Sequence, residues 1–284
     1  MHFVTFQHDH ASQCGVLTGD TIVGLKDAGF STLQQVIEGG SEAKRKIQSW
    51  LEKAPANTAI PLAGTKLLAP LPRPPKLICV GLNYRDHAKE CGADLPKVPA
   101  IFSKFTTSII GPDDEIVLPK NSAEPDYEAE FAVVIGKGGR HIPQDRWLDH
   151  VFGYTNFNDV SARDVQMATS QWLMGKTFDT FGPMGPAIVT TDEIADPHAL
   201  DIQMVINGEV LQSSNTSEMV FRIPYLIEFI SSVFTLEPGD VISTGTPAGV
   251  GEAKNPQRWL RPGDDVVVRI SGLPELRNGV RAEN

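Results

Sequence analysis

Short apolar runs separated by proline, glycine and aspartate restrict what this chain can fold into more than any other feature of its sequence. Their lengths and their β-branched and aromatic content are typical of strands, and the residues between them favour turns. Clear examples after residue 76 are LICVGLNY, IFSKF, EIVLP, AEFAVVIG and VFGYTNF. A later stretch, IQMVINGEVLQSS, has two apolar arms around Asn207 and Gly208, which predicts a β-hairpin. Together these runs predict a mainly β fold, mostly antiparallel with peripheral helices, rather than a doubly wound parallel sheet.

The first 69 residues combine short strand-like pieces with one helical stretch, SEAKRKIQSWLEKA, in which Ile47 and Leu51 fall four apart. This pattern predicts a small N-terminal α/β domain over residues 1–69. Residues 70–76 contain four prolines, whose fixed φ and missing N–H predict an extended linker. The main domain is therefore expected over residues 77–284, and within it RIPYLIEFISSVFTL has the apolar spacing of a second helix.

Composition and charge argue against several classes of protein. With 284 residues, 41% of them hydrophobic, the chain can bury a core without disulfide staples. Its formal net charge of −10 disfavours an extended nucleic-acid surface, which needs clustered cations. The apolar runs are shorter than the roughly 20 residues that span a bilayer, and MHFVTFQHDH lacks the pattern of a signal peptide, so a soluble cytoplasmic protein is expected. Three scattered cysteines, Cys14, Cys79 and Cys91, indicate packing residues or incidental thiols rather than a zinc site.

Three acidic residues at the ends of apolar runs are candidate metal ligands. Glu128 and Glu130 stand two apart at the head of a buried-strand pattern, so their carboxylates leave one face of the strand and repel each other unless a cation lies between. Asp159 ends a second apolar and aromatic run. Three carboxylates without cysteine or histidine form a hard, all-oxygen site that suits Mg²⁺, Mn²⁺ or Ca²⁺ better than zinc. Taken singly, each acid could instead be a surface charge at a strand end or a helix cap.

Two further stretches contain candidate catalytic groups. His87 and Glu90 are three apart in NYRDHAKEC, so on a helical turn the carboxylate can orient the imidazole for proton transfer, although such pairs are also common on exposed helices. Lys176 lies among glycine, aromatic and proline residues, where it could stabilise an oxyanion or bind a carboxylate; a surface charge in a loop is the alternative. The glycine-rich stretch over residues 243–251 could present backbone donors and the Thr246 hydroxyl to an anion, or be merely a tight turn.

Five motifs follow one another between about Lys76 and Gly272: VGLNYRDHAKE, DYEAEFAVVIG, GYTNFNDVSARD, GKTFDTFGPMGP and GDVISTGTPAGVG. In their order and spacing they resemble the fumarylacetoacetate hydrolase family. The resemblance implies a mixed β-sandwich roll for the main domain. It also implies a divalent cation, Mg²⁺ or Mn²⁺ with Ca²⁺ as a further option, held by Glu128, Glu130 and Asp159. The fourth metal carboxylate of the founding enzyme, fumarylacetoacetase, has no counterpart here, so the chain resembles the shorter, acylpyruvase-type members.

The same resemblance implies roles for the other candidate residues. His87 and Glu90 would form a dyad that activates water, and Lys176 would face the substrate oxygen that gains charge. Four more positions match family residues in the substrate pocket: Tyr84, Arg163, Gln166 and Thr246.

The resemblance leaves more than one reaction open. Our first interpretation is metal-dependent hydrolysis of a carbon–carbon bond in a 2,4-diketo acid such as an acylpyruvate, through a metal-chelated enolate, to a carboxylic acid and pyruvate. The alternative keeps the enolate site and omits the water, as in an oxaloacetate decarboxylase or a keto–enol tautomerase. A non-catalytic binding module is a third interpretation, which the retained acids, dyad and lysine disfavour. The family resemblance also predicts a homodimer with a small 2-oxo or 2,4-diketo acid as the ligand. The net charge and the short apolar runs leave neither nucleic acid nor membrane as an expected partner.

Overall fold

A computed structural model describes residues 1–55 and 58–284 of the chain. The helices, in chain order, are α1 (Leu33–Glu38), α2 (Gly40–Leu51), α3 (Arg85–Glu90), α4 (Arg163–Gln166), α5 (Leu173–Lys176) and α6 (Ile223–Val233). The strands are β1 (His2–His8), β2 (Ala11–Thr18), β3 (Thr21–Gly24), β4 (Ala59–Pro61), β5 (Leu67–Leu68), β6 (Leu77–Gly81), β7 (Ala100–Ser103), β8 (Ile109–Ile110), β9 (Ile116–Leu118), β10 (Pro125–Asp126), β11 (Ala129–Ile135), β12 (Val151–Asn158), β13 (Ser161–Ala162), β14 (Gly182–Thr190), β15 (Asp201–Ile206), β16 (Glu209–Asn215), β17 (Val241–Ser243), β18 (Asp265–Ile270) and β19 (Leu276–Ala282).

Two large sheets make up most of the fold. The first has the strand order β4-β3-β2-β1-β14-β12-β11-β17-β6-β7, and the second has the order β16-β15-β18-β19-β9. Most neighbouring strands are antiparallel, while β17 and β6, β14 and β8, and β19 and β9 are parallel. The expectation of a mainly β, mostly antiparallel fold with peripheral helices is therefore confirmed.

The hairpin and the helix expected in the second half of the chain are both present. Strands β15 and β16 pair across Asn207 and Gly208, whose φ angles of 52° and 83° are those that a tight hairpin turn requires. Helix α6 begins at Ile223, with a proline in its first turn, where the missing N–H would have no helical partner. Its buried face includes Leu226 and Ile230, and burial of each such side chain contributes about 1.5–3 kcal/mol.

The N-terminal strands extend the first sheet. Strand β1 pairs with β14, placing Phe3 opposite Ile188, and both side chains belong to one buried cluster with Ile47 of α2. The helix expected in SEAKRKIQSWLEKA corresponds to α2. The division into domains at residues 1–69, 70–76 and 77–284 remains a prediction. Within the described residues, no helix is both long and apolar enough to cross a membrane.

The order of four central strands explains why distant motifs meet at one edge of the sheet. Strand β11 is antiparallel to β12 on one side and to β17 on the other, and β17 is parallel to β6. The start of β11 therefore lies beside the ends of β12, β17 and β6. The chain segments at these four points carry most of the candidate residues: Glu128 and Glu130, Asp159, Thr246, and His87 with Glu90.

Candidate active site

Glu128, Glu130 and Asp159 form a buried cluster of carboxylates at this edge. One carboxylate oxygen of each lies within 4.8 Å of the others, and the three residues are at most 5% exposed. The register of β11 and β12 pairs Ala129 with Asn158, which brings the residues on either side of this pair together. The three acids expected to converge do so.

Three cations surround two of these carboxylates. Lys176 Nζ lies 2.7 Å from Glu128 Oε2 and 2.9 Å from Asp159 Oδ2. Arg163 Nη2 lies 2.6 Å from Glu128 Oε1. Lys104 Nζ lies 2.5 Å from Asp159 Oδ1 and also donates to the carbonyl oxygen of Val160. Sequence reasoning missed Lys104, although a lysine directly after the apolar strand β7 was a signal that could have marked it.

Glu130 has a different environment. Its carboxylate accepts hydrogen bonds from the Ser243 hydroxyl and from the Gly245 backbone N–H, at 3.1 Å for the latter. Among the described residues, no lysine or arginine nitrogen lies within ion-pair distance of it. Burial, and then the negative charges of Asp159 and Glu128, raise the pKa of Glu130 well above its usual range. Burial opposes ionisation of Glu128 as well, but Lys176 and Arg163 outweigh it and lower the pKa of Glu128 to about 2.

These features fit a divalent cation. The donors are all carboxylate oxygens, which is the set that Mg²⁺ and Mn²⁺ prefer. Glu130 lies near the negative charges of Asp159 and Glu128 and accepts hydrogen bonds only from neutral donors. A cation bound among the three carboxylates would supply the positive partner that Glu130 does not have.

His87 and Glu90 lie on the short helix α3 at the wall of the same cavity. Glu90 accepts a hydrogen bond from the Gly249 backbone N–H through Oε2, while its Oε1 is buried with no hydrogen-bond partner among the described residues. The ring nitrogens of His87 are 3.8 and 3.9 Å from Cys91 Sγ. No hydrogen bond in the described part of the chain joins His87 to Glu90. The structure thus brings the pair to one cavity without linking the two side chains.

Burial affects the protonation of both groups. It is the main cause that lowers the pKa of His87, and Arg163 and Lys176 lower it further against the opposing charge of Glu128. His87 is therefore a neutral imidazole at pH 7. Burial also raises the pKa of Glu90.

Arg163 and Gln166 lie together on α4, just after the acidic cluster. Arg163 Nη1 donates to Gln166 Oε1 at 3.1 Å, and its Nε lies 2.9 Å from Asp126 Oδ2. Asp126 is a second residue that sequence reasoning missed; it also accepts from the Gly251 N–H at 2.7 Å and so ties the arginine to the glycine-rich turn. The surrounding carboxylates raise the pKa of Arg163 despite its burial, which keeps the guanidinium charged.

Thr246 and Tyr84 are engaged in the fold itself. The Thr246 hydroxyl donates to the carbonyl oxygen of Ala129 at 3.0 Å and accepts from Gln212 Nε2 at 2.9 Å. Tyr84 is fully buried within the main apolar core. Their assignment to substrate binding remains a prediction, as do the roles of the other candidates.

One cavity of about 440 Å³ unites most of the site. The candidate residues on its wall are His87, Glu90, Glu128, Glu130, Arg163, Gln166, Lys176 and Thr246. Asp159 and Tyr84 are not among the described residues that line it. Two aromatic residues that sequence reasoning did not select, Phe102 and Trp172, also line it.

Comparison with known proteins identifies the group to which this site belongs. Residues 76–281 match the family described as fumarylacetoacetate (FAA) hydrolase C-terminal, which covers most of the chain. The chain belongs to the fumarylacetoacetate hydrolase family. The resemblance inferred from the five sequence motifs is confirmed.

Relatives of known name include two oxaloacetate tautomerases. The mitochondrial oxaloacetate tautomerase FAHD2A of Homo sapiens is 49% identical over 88% of this chain and 79% of its own length. The mitochondrial oxaloacetate tautomerase Fahd2a of Rattus norvegicus is 50% identical over 99% of this chain and 91% of its own length. Because these relatives are named as mitochondrial proteins, the expectation of a cytoplasmic protein is wrong.

Solved structures of this family share the whole fold. The fumarylacetoacetate hydrolase of Exiguobacterium antarcticum has a TM-score of 0.87 and is 37% identical, with all of both chains covered. The maleylpyruvate hydrolase of Sphingobium sp. SYK-6, solved with manganese(II) and pyruvate, has a TM-score of 0.85 and is 31% identical, again over all of both chains. The expected family fold is confirmed over the full chain.

Proposed function

We propose that this chain is a divalent-metal-dependent keto–enol tautomerase that acts on oxaloacetate. The observation that carries the proposal is the meeting of a charged lysine, Lys176, and a neutral imidazole, His87, on one cavity wall beside the acidic cluster. The two relatives at about 50% identity, named oxaloacetate tautomerases, support the choice of substrate. This favours the alternative in our sequence interpretation over hydrolysis.

Glu128, Glu130 and Asp159 would hold the cation. A bound divalent cation would supply Lewis acidity that polarises the 2-oxo group of the substrate.

Lys176 would stabilise the charge that develops on the substrate's carbonyl oxygen. Its pKa is raised because the carboxylates of Asp159 and Glu128 outweigh its burial, so the ammonium form persists at neutral pH. A fixed ammonium in a largely buried site is effective against developing negative charge, because it needs no reorganisation during the reaction. Arg163 and Gln166 would bind the carboxylate of the 2-oxo acid with their N–H groups.

His87 would move the proton. In the keto form, the C3–H bond breaks and the proton passes to a ring nitrogen of His87; the imidazolium then gives this proton to the oxygen on C2, which becomes the hydroxyl of the enol. The reverse sequence returns the proton to C3. Because this exchange needs one base and no water, it does not require that Glu90 be hydrogen-bonded to His87.

Hydrolysis of a 2,4-diketo acid is the second candidate, and Glu90 is the observation that favours it. Its buried Oε1 has no hydrogen-bond partner among the described residues, and Glu90 lines the same cavity as His87, so this oxygen could accept a hydrogen bond from the imidazole or from a water molecule. In this reaction water adds to the distal carbonyl, the adjacent carbon–carbon bond breaks, and a carboxylic acid and pyruvate are released. The solved relatives named hydrolases support this candidate.

Proton NMR in D₂O separates the two candidates. Oxaloacetate and acetylpyruvate are each incubated with protein and Mg²⁺, with Mg²⁺ alone, and with protein plus a chelator. We expect the protein with Mg²⁺ to accelerate keto–enol exchange and C3 deuteration of oxaloacetate beyond Mg²⁺ alone, while acetylpyruvate persists. Release of acetate and pyruvate from acetylpyruvate would favour hydrolysis, and protein-dependent loss of CO₂ from oxaloacetate would identify a decarboxylase.

A further inference from the structure

Two aromatic residues, Phe102 and Trp172, lie beside Lys176 and form an aromatic wall of the cavity. Phe102 and Trp172 meet edge to face, with ring centroids 5.6 Å apart and planes at 76°. Lys176 Nζ lies over the Phe102 ring, 5.2 Å from its centroid. Trp172 immediately precedes α5, four residues before Lys176, so the indole and the ammonium lie about one turn apart. Two aromatic rings therefore lie next to the Lys176 ammonium, which is the group proposed to stabilise charge on the substrate's carbonyl oxygen.

The absence of a side chain at Gly81 leaves room for the indole of Trp172 in this position. A Cβ atom at residue 81 would stand 2.3 Å from Cζ3 and 2.9 Å from Cη2 of Trp172, closer than real carbon contacts allow. The six-membered ring of the indole therefore occupies the space that a side chain at residue 81 would fill, at the end of β6. Phe102 also packs edge to face against Trp172, so contacts within the protein fix the position of both aromatic side chains.

The cavity has room for more than a four-carbon acid. Its volume of about 440 Å³ falls within the range of sites that enclose drug-sized ligands. Lys176 and Arg163 both contact Glu128 on the cavity wall, while Phe102 and Trp172 add apolar surface to the wall. A planar ring suits such a surface, because aromatic pairs gain about 0.5–1.5 kcal/mol beyond the burial of their area.

We propose that Phe102 and Trp172 form an aryl subsite, and that the chain also interconverts the keto and enol forms of 2-oxo acids with an aromatic ring on C3. This inference rests on the proposed tautomerase function for its chemistry. The substrate's 2-oxo acid end binds as oxaloacetate does, and its ring lies against the indole. The C3–H bond breaks, His87 takes the proton and then delivers it to the oxygen on C2, so the enol forms without any other reactant.

Phenylpyruvate is the probe for this activity, with oxaloacetate as the reference substrate. We expect the protein with Mg²⁺ to accelerate the conversion of phenylpyruvate enol to the keto form. Trp172→Ala should lower the ratio of kcat/KM for phenylpyruvate to that for oxaloacetate by about tenfold. Gly81→Ala should lower the same ratio while leaving the indole in the chain, and Trp172→Phe should restore much of it. Met174→Ala, an exposed neighbour on α5 outside the cavity, should keep the wild-type ratio.

A binding measurement tests the subsite apart from the reaction. Calorimetric titration with phenylpyruvate and with pyruvate, which lacks the ring, should show about tenfold tighter binding of phenylpyruvate to the wild type and loss of this difference in Trp172→Ala. Equal affinities in the wild type would overturn the aryl subsite, whatever happens to oxaloacetate. If phenylpyruvate binds tightly through Trp172 but neither acid is turned over, the subsite stands and the tautomerase function falls. Turnover of oxaloacetate alone would overturn the second activity and leave the proposed function intact.

Discussion

Glu128 and Glu130 of the acidic cluster line the same cavity as His87 and Glu90, but the cluster and the His87–Glu90 pair differ in how their polar atoms are bonded. Each carboxylate of the cluster has at least two polar partners; Asp159, for example, lies between Lys104 and Lys176. Glu90 keeps one buried oxygen without a hydrogen bond, and nothing in the described residues links it to His87. One half of the site is therefore assembled in advance, while the other half has donors and acceptors still to be satisfied.

The supporting structure explains this difference. The cluster lies at the start of β11, which is hydrogen-bonded to β12 on one side and β17 on the other. Helix α3 has only six residues, too few for a helix to be stable by its own backbone bonds. The groups that would hold a cation therefore stand on a rigid frame of paired strands. Groups that transfer a proton can complete their hydrogen bonds when the substrate arrives.

The largest expected effect comes from breaking the assembled half. Asp159→Asn leaves Lys104 and part of the charge of Lys176 uncompensated in the interior, so it should lower the free energy of unfolding by about 3–5 kcal/mol and weaken Mg²⁺ binding. Urea unfolding and calorimetric Mg²⁺ titration measure the two effects. The matched control is Asp149→Asn, which breaks an exposed ion pair with Arg146. This variant should show no measurable change in the free energy of unfolding or in Mg²⁺ binding. Equal stability of the two variants would contradict the view that the cluster is preassembled.

Lys176→Met tests the group that connects the cluster to the substrate. Turnover of oxaloacetate should fall by about 10²–10³-fold, because the ammonium that faces the developing charge is lost. Mg²⁺ binding should persist, since the three carboxylates remain. Exposed Lys137→Met is the control and should retain full turnover. Loss of Mg²⁺ binding together with turnover would instead assign Lys176 a structural role.

Variants of the second half separate its two members. His87→Ala should reduce tautomerisation by about 10²–10⁴-fold, as expected for removal of a general base. Glu90→Gln should change it by less than about tenfold, because the amide oxygen can still accept from the Gly249 N–H and the proposed exchange needs no second base. The rate of C3 deuteration of oxaloacetate, measured for each variant and for the wild type, gives both fold reductions. An equally large loss in the two variants would mean that the pair acts as a dyad, which favours hydrolysis.

The pH dependence should give the smallest effect. Burial lowers the pKa of His87 below its usual value of 6.5, so the imidazole stays unprotonated as the pH falls to 6.5 and becomes protonated only below it. The acidic limb of kcat/KM should therefore lie below pH 6.5 and be absent from the residual rate of His87→Ala. An acidic limb at or above pH 6.5 would show that His87 is more solvated in solution than in this structure.

Much of the fold and most of the cluster could be predicted from the sequence. The apolar runs around AEFAVVIG and VFGYTNF predicted the strands, and the spacing of Glu128 and Glu130 predicted that their carboxylates share a face. These are local properties, since residue type and period within one segment decide them. The missed residues have a different origin: Lys104 is 55 positions from Asp159, and Asp126 is 125 positions from Gly251.

The sequence by itself determined the family, the mainly β class and the three acids at strand ends, because each depends on residue types within one motif or on the order of motifs along the chain. Only the tertiary structure decided which cations neutralise those acids, that Glu90 binds the Gly249 N–H rather than His87, and that Gly81 seats the indole of Trp172. The physical reason is the order of the strands. By placing β17 between β11 and β6, the sheet brings together side chains that are far apart in the sequence, and their contacts depend on distances that no single segment contains.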